Sequence, residues 1–382
     1  MKLGRSFFNL YFFIQGTSMF SHIHPDNYDA QLSKKQQDMA TLFSVFNLPA
    51  PDLYPSAPLN YRQRAEFRVW HDGDDLYYIM FDSKTKAKFR VDDFPVASEL
   101  INNAMKALLA AIKNHSELRY KLFQVDFLST LSGELLISML YHKPLEDNWQ
   151  VEAEKLKAQL STIAPVDIIG RAKKQKIIVD KDYVMESLDV GNKTYIYQQV
   201  ENSFTQPNAG VNEQMLLWAQ QATENSGGDL IELYCGNGNF SIALAENFDR
   251  VLGTEISKTS VRSAQINISK NGIDNIDIVR MSSEEFSQAM NGERKFRRLE
   301  DFDLTTYNYD TVLVDPPRAG LDRDSVELVR RFNKIIYISC NPETLKENLA
   351  LLVETHQIDK FALFDQFPYT DHVETGVILT RK

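Results

Sequence analysis

Cys340 ends an apolar run and stands just before a proline-marked turn, in Ile338-Ser339-Cys340-Asn341-Pro342-Glu343-Thr344. A strand that stops there would open onto a cleft, and a helix beginning just after it would favour thiolate over thiol. A placed thiolate has a specific use, because carbon 5 of a pyrimidine is too weak a nucleophile to take a methyl group directly. Sulfur addition at carbon 6 puts enolate charge on carbon 5, which attacks an electrophilic methyl; a base then removes the carbon 5 proton and the thiol leaves. Bringing a thiol from its free pKa of ~8.5 to near neutrality corresponds to about 2 kcal/mol. The base should come from another strand end, and Glu374 in Asp371-His372-Val373-Glu374-Thr375 is the candidate. His372 is the alternative, and a solvated carboxylate or a packed ring is the plain reading of either. The other cysteine, Cys235, reads as a small buried hydrophobe.

Two further runs belong with this pair. Tyr234-Cys235-Gly236-Asn237-Gly238-Asn239-Phe240 is a turn whose glycines let the backbone bend sharply toward a ligand, and Glu255 follows as an acid placed to accept hydrogen bonds from ribose hydroxyls. A glycine turn with a downstream acid also describes a dinucleotide site. Here Ser241 replaces the third fingerprint glycine and asparagines replace a pyrophosphate cradle, which suits S-adenosylmethionine, a cofactor without phosphate. Val314-Asp315-Pro316-Pro317-Arg318 holds a carboxylate between a strand and two prolines. That carboxylate could orient an exocyclic amine for methylation or position a ring beside the cofactor.

Such residues converge only if strands deliver them to one sheet edge, and after about Val200 the pattern is strands alternating with helices, the mark of a parallel sheet. Strands are expected at 230–234, 250–255, 276–280, 311–315, 335–339, 361–367 and 375–380, seven in all with the last antiparallel. The polar, aperiodic stretch 291–310 reads as an insertion outside the core. Before Val200 the reading is α+β: a helix over 26–46, a loop marked by Pro49, Pro51, Pro55 and Pro58, and strands at 64–70 and 76–82 around an Asp72-Gly73 turn. A helix at 96–114, strands at 121–130 and 134–142, and a helix at 149–160 follow. The fold class is therefore α/β: a C-terminal class I, Rossmann-like domain of seven strands (201–382) behind an N-terminal α+β domain (19–200).

With two cysteines in 382 residues and no Cys/His cluster, neither a disulfide framework nor a zinc or iron–sulfur site is expected. The net charge of −10 argues against binding nucleic acid by bulk attraction alone, but it is uneven. Residues 1–200 carry 24 Lys+Arg against 24 Asp+Glu, and residues 201–382 carry 18 against 28. Basic clusters stand at Arg62, Arg64 and Arg68; at Lys84, Lys86, Lys88 and Arg90; and at Arg171, Lys173, Lys174 and Lys176. The second alternates strictly, so as a strand all four charges would share one face. Residues 1–18 imitate the start of a secretory signal but lack a cleavage site, and are read as a non-native or disordered extension. No apolar run is long enough to cross a bilayer.

At 199–208 (QVENSFTQPN), 232–239 (ELYCGNGN), 314–320 (VDPPRAG), 339–344 (SCNPET) and 367–374 (FPYTDHVE), the chain resembles the bacterial tRNA (uracil-5-)-methyltransferases, from about Met19 to Lys382. The resemblance implies that Cys340 is the nucleophile and Glu374 the proton acceptor, and that Gln206, Tyr234, Asn239, Glu255 and Asp315 line the S-adenosylmethionine site. It implies no metal and no iron–sulfur cluster, unlike many related rRNA enzymes. The N-terminal half would bind the tRNA T-arm and displace the T-loop uridine conventionally numbered 54, with Arg68, Phe123 and His142 on the RNA and the plain core reading still open for Phe123. Other RNAs with a T-loop-like hairpin are further candidate partners, and a cytoplasmic monomer is expected. The rival readings are a dehydrogenase using the glycine turn and a noncatalytic RNA-binding protein; both predict a dispensable Cys340.

Overall fold

Residues 20–82, 85–300 and 302–382 are described by a computed structural model of the chain. The segment 1–18 and Lys84 lie outside them. In the first half the elements are α1 (Tyr28–Leu42), β1 (Asp52–Tyr54), β2 (Arg64–Asp72), β3 (Asp75–Phe81), β4 (Lys88–Val91), α2 (Glu99–Ile112), α3 (Ser116–Arg119), β5 (Leu122–Ser129), β6 (Leu135–Tyr141), α4 (Asp147–Leu160), β7 (Val166–Ala172), β8 (Gln175–Ile178), β9 (Tyr183–Val190) and β10 (Lys193–Val200).

Strands β2 to β8 form a seven-stranded sheet in the order β4-β3-β2-β5-β6-β7-β8. Alternation along β2 sets its faces: Ala65, Phe67 and Val69 are buried, while Glu66, Arg68 and Trp70 are exposed. The buried face packs on α2 and α4. Ser98 caps α2 by accepting from the Ile101 amide, and Ile101, Ala104, Met105, Leu108 and Ile112 recur at helical spacing against the sheet. The expected Asp-Gly hairpin is present: Asp72 pairs with Asp75, and Gly73 takes φ +56°.

Two readings of this half need correction. The alternating basic run is not one strand, because Asp82 accepts from the Thr85 amide and hydroxyl and draws the chain into a turn with Lys86 at φ +59°. Of the described basic residues in the run, Lys88 and Arg90 share a strand face. Strands also occupy much of 166–200, where none is expected. The missed signal is Gly191-Asn192, the tight turn of the β9–β10 hairpin, with Gly191 at φ +61°.

The second half holds α5 (Ala209–Ala222), β11 (Asp229–Leu233), α6 (Asn239–Leu244), β12 (Arg250–Thr254), α7 (Lys258–Lys270), β13 (Ile276–Val279), α8 (Ser283–Met290), β14 (Tyr309–Val314), α9 (Arg323–Val329), β15 (Lys334–Ser339), α10 (Pro342–Leu352), β16 (His356–Phe364) and β17 (Glu374–Arg381). All the expected strands join one sheet, ordered β16-β17-β15-β14-β11-β12-β13, with β17 antiparallel to both neighbours. Its centre is covered on both faces: Ile231 and Leu233 of β11 enter one core layer, and Leu230 enters the other. Gly376 on β17 leaves room for Trp218, since a Cβ there would lie 2.7 Å from the indole.

The first half also contributes to this sheet. The proline-marked loop contains β1, which pairs in parallel with β16 and makes an eighth strand. Pro51 and Pro55 bracket it, as an edge position permits. The described residues of 291–308 carry only short 3₁₀ turns before β14 begins at Tyr309, but the stretch is not wholly outside the core: Phe296 and Leu299 are buried in the layer that holds Phe286. No helix among the described residues is long and apolar enough to cross a membrane.

Candidate active site

Parallel strands present their carboxyl ends along one edge, and a cleft of about 1050 Å³ opens there. Gln206, Tyr234, Asn239, Glu255, Asp315, Cys340 and Glu374 all line it. The turn after β11 is shaped by left-handed residues: Tyr234 at φ +65°, Gly236 at +56° and Gly238 at +84°. For a tyrosine this backbone is strained, and such strain gathers at functional sites. The Tyr234 hydroxyl hydrogen-bonds Ser283 Oγ at 2.7 Å. Asn239 and Asn212 exchange amide hydrogen bonds of 2.9 and 3.0 Å. Glu255 accepts from the amides of Gly236 and Ser257, which ties the acid after β12 to the glycine turn. Gln206 accepts from the Gln366 side chain at 2.8 Å.

Cys340 follows β15, and Asn341 caps α10 with Pro342 in its first turn. The expectation of a helix-stabilised thiolate is corrected here. Asn341 Oδ1 takes the Glu343 amide, so the cap rather than the sulfur satisfies the helix end. Burial pushes the Cys340 thiol up to about 11, with the Glu374 and Asp315 carboxylates adding to the shift and Arg318 opposing it. Burial raises Asp315 to about 7. Glu374 is held well above the carboxylate range by burial and then by Asp315, and its Oε2 has no hydrogen-bond partner among the described residues. The free site therefore keeps the thiol protonated at neutral pH and disfavours charge on Glu374.

This has a measurable consequence, because only thiolate reacts with iodoacetamide. Roughly one molecule in 10⁴ carries it at pH 7 if the pKa is near 11. Alkylation of the free protein at Cys340 should be slow at neutral pH and rise about tenfold per pH unit up to pH ~9. Peptide mass spectrometry across that range checks it; fast, pH-independent labelling would contradict the protonated resting state. Cys235 should stay unlabelled, being 2% exposed, in agreement with its reading as a buried hydrophobe.

His372 also lines the cleft but is exposed, and burial followed by the Arg318 and Lys35 charges lowers its pKa. Arg318 and Phe204 are among the lining groups given no role from the sequence. Arg318 was legible as the residue after Asp315-Pro316-Pro317, whereas Phe204, 73% exposed, had no periodic signal. Arg62, Arg64, Arg171 and Lys176 bring two of the basic clusters to the same cleft.

Arg68, Phe123 and His142 are not among the cleft-lining residues, but the fold brings them together. Phe123 and His142 stack with centroids 3.7 Å apart and planes at 11°, and the Arg68 guanidinium lies 5.3 Å from the Phe123 ring. Phe123 sits at an irregularity in the β5–β6 pairing and is half-buried, so the core reading fails. Two more cation–ring pairs lie nearby on the sheet: Lys88 over Trp70 at 3.3 Å and Arg90 over Tyr77 at 4.6 Å. Among the described residues, no group of three or more His, Cys, Asp or Glu side chains is placed to hold a metal.

A doubly wound sheet with its ligand turn after the first core strand, an acid after the second and an antiparallel final strand defines a Rossmann-like methyltransferase. A solved structure, Pyrococcus abyssi tRNA (uracil-54, C5)-methyltransferase in complex with S-adenosyl-L-homocysteine, has this fold at TM-score 0.69 and 22% identity, over 93% of this chain and 84% of that one. Residues 27–382 match the family tRNA (Uracil-5-)-methyltransferase, and the chain belongs to it. It is 94% identical over 364 residues to the tRNA/tmRNA (uracil-C(5))-methyltransferase of Colwellia psychrerythraea, covering 95% of this chain and all of that one. The enzyme of that name from Shewanella amazonensis is 60% identical, over 94% of this chain and 98% of the relative.

Proposed function

We propose that the chain methylates carbon 5 of a uridine in tRNA, the T-loop uridine conventionally numbered 54, with S-adenosylmethionine as the donor. The observation that carries this is the meeting of Cys340 and Glu374 in the cleft that also holds the glycine turn and Glu255. An amine methylation would need no such thiol.

The residues suit the cofactor. Glu232, Asp315 and Glu374 line the cleft with carboxyls whose charge burial disfavours, so a cationic ligand seated there would be favoured by offsetting that cost. Gln206, Tyr234, Asn239, Glu255 and Asp315 would hold it, Glu255 taking ribose hydroxyls. When bound, S-adenosylmethionine supplies an electrophilic methyl on a positively charged sulfur. Because Glu374 and Asp315 add to the upward shift of the Cys340 thiol, a cationic ligand held in this cleft would act in the opposite direction and favour thiolate.

Cys340 Sγ, its proton released to solvent, then adds to carbon 6 of the flipped uracil, and the electrons of the C5=C6 bond become an enolate. Carbon 5 would form its bond to the methyl as the methyl–sulfur bond of the donor breaks, that electron pair staying on the donor sulfur as a neutral thioether. Glu374, in its carboxylate form, takes the carbon 5 proton; the electron pair restores C5=C6, and the C6–S bond breaks with its electrons returning to sulfur. We assign catalysis to residues 201–382 and RNA binding to residues 19–200 of a cytoplasmic monomer. Other RNAs with a T-loop-like hairpin are further substrates in this reading, and tmRNA appears in the names of the relatives.

The decisive assay incubates unmodified tRNA with methyl-labelled cofactor, digests it and identifies the labelled nucleoside. Label on 5-methyluridine is expected; label on an exocyclic amine, or none, overturns the reading. Phe123→Ala should weaken tRNA binding about tenfold, within the ~1–3 kcal/mol of one aromatic–base contact, and leave cofactor affinity unchanged. Filter binding and calorimetry check the two separately.

A further inference from the structure

The loop 365–373 joins β16 to β17 and leads directly into Glu374. Phe367 and His372, near its two ends, line the cleft. What holds this loop comes from the other end of the chain. Lys35 on α1 is 7% exposed, and its ammonium donates to Asp365 Oδ1 at 2.7 Å, to the Phe367 carbonyl at 2.8 Å and to the His372 carbonyl at 2.9 Å. All the donors of the ammonium are used. Gln31, one helical turn earlier, donates to Asp365 Oδ2 at 2.8 Å and accepts from the Tyr369 amide at 3.2 Å.

A purely architectural ion pair would need only Asp365, and buried pairs of that kind are often replaceable by apolar groups at no loss of stability. Here two of the ammonium's bonds go instead to main-chain carbonyls at the two ends of the loop, the second only two residues before Glu374. We propose that Lys35 is a positioning residue for the proton-removal step, stapling the loop so that the Glu374 carboxyl stands where the carbon 5 proton is released. This rests on the reading of Glu374 as the base. Cys340 sits on a different strand end that Lys35 does not touch, so carbon 6 addition and methyl transfer should depend on Lys35 far less than the final elimination does. A displacement of about 1 Å can cost ~100-fold in rate.

The test uses the full chain with Lys35→Met, which keeps the stem and removes the donors. Lys35→Met/Asp365→Asn accompanies it, because Asp365 alone would be a buried, unpaired charge. Thermal melting establishes that each variant is folded. Steady-state turnover on tRNA is expected to fall at least ~10-fold while single-turnover methyl transfer stays within about threefold, and a methylated RNA–protein adduct should accumulate on a denaturing gel. Native turnover in a folded variant, reduced turnover without adduct, or failure of both variants to fold would each end the proposal. Glu374→Gln is run alongside. If it traps adduct and the Lys35 variants do not, only the role of Lys35 falls; if it traps none, the assignment of the base falls and this proposal falls with it.

Discussion

A Cys340→Ala variant is expected to lose methyl transfer by ~10⁴-fold or more while binding tRNA and cofactor within about threefold of the native protein. The large effect follows from the chemistry: without sulfur on carbon 6 there is no enolate, and carbon 5 does not attack a sulfonium methyl. The small effects follow from position. Cys340 is only partly buried at the end of β15, its side chain holds up no neighbouring element, and the N-cap of α10 is made by Asn341. Labelled-methyl incorporation measured beside filter binding separates the two. An alanine variant with native activity would leave a dehydrogenase or a noncatalytic RNA-binding protein as the surviving readings.

The second large effect is qualitative. Glu374→Gln should carry out its first methyl transfer and then stop, leaving the RNA covalently attached through Cys340, with multiple turnover reduced by ~10²–10⁴-fold. The amide is nearly isosteric with a carboxyl whose charged form burial disfavours, so the fold should tolerate it. What it lacks is the ability to accept a proton once the site is loaded. A denaturing gel of the reaction should show a band retarded by the mass of the RNA and carrying labelled methyl. A variant that turns over normally, or one that never forms the band, would remove Glu374 from its assigned step and return His372 to consideration.

Both outcomes depend on proton bookkeeping that the free site displays. Burial raises the thiol and Glu374 together, so the free site disfavours charge on both groups.

The sequence by itself determined the class of sheet and most of the strand-end residues that line its cleft. Strands β11, β12, β14 and β15 are short, largely buried runs that are each followed by an unusual residue, so the alternation of strands with helices located the strands and the strand ends located Tyr234, Glu255, Asp315 and Cys340. Glu374 was legible because it opens the last strand. What only the tertiary structure decided lies in pairings across long separations, for which no local pattern exists. The edge strand β1 is drawn from a proline-rich loop to a partner more than 300 residues away, and its identity as a strand depends on that partner rather than on propensity. Lys35 looks like any helix-surface lysine until Asp365 and the loop carbonyls surround it. The thiol's protonation is likewise a property of the folded cleft: a helix start written in the sequence predicts thiolate, but desolvation and two carboxylates brought from other strands outweigh it. Local periodicity follows from short-range geometry of the backbone, whereas burial and charge depend on which distant segments meet, and that is settled only when the sheet closes.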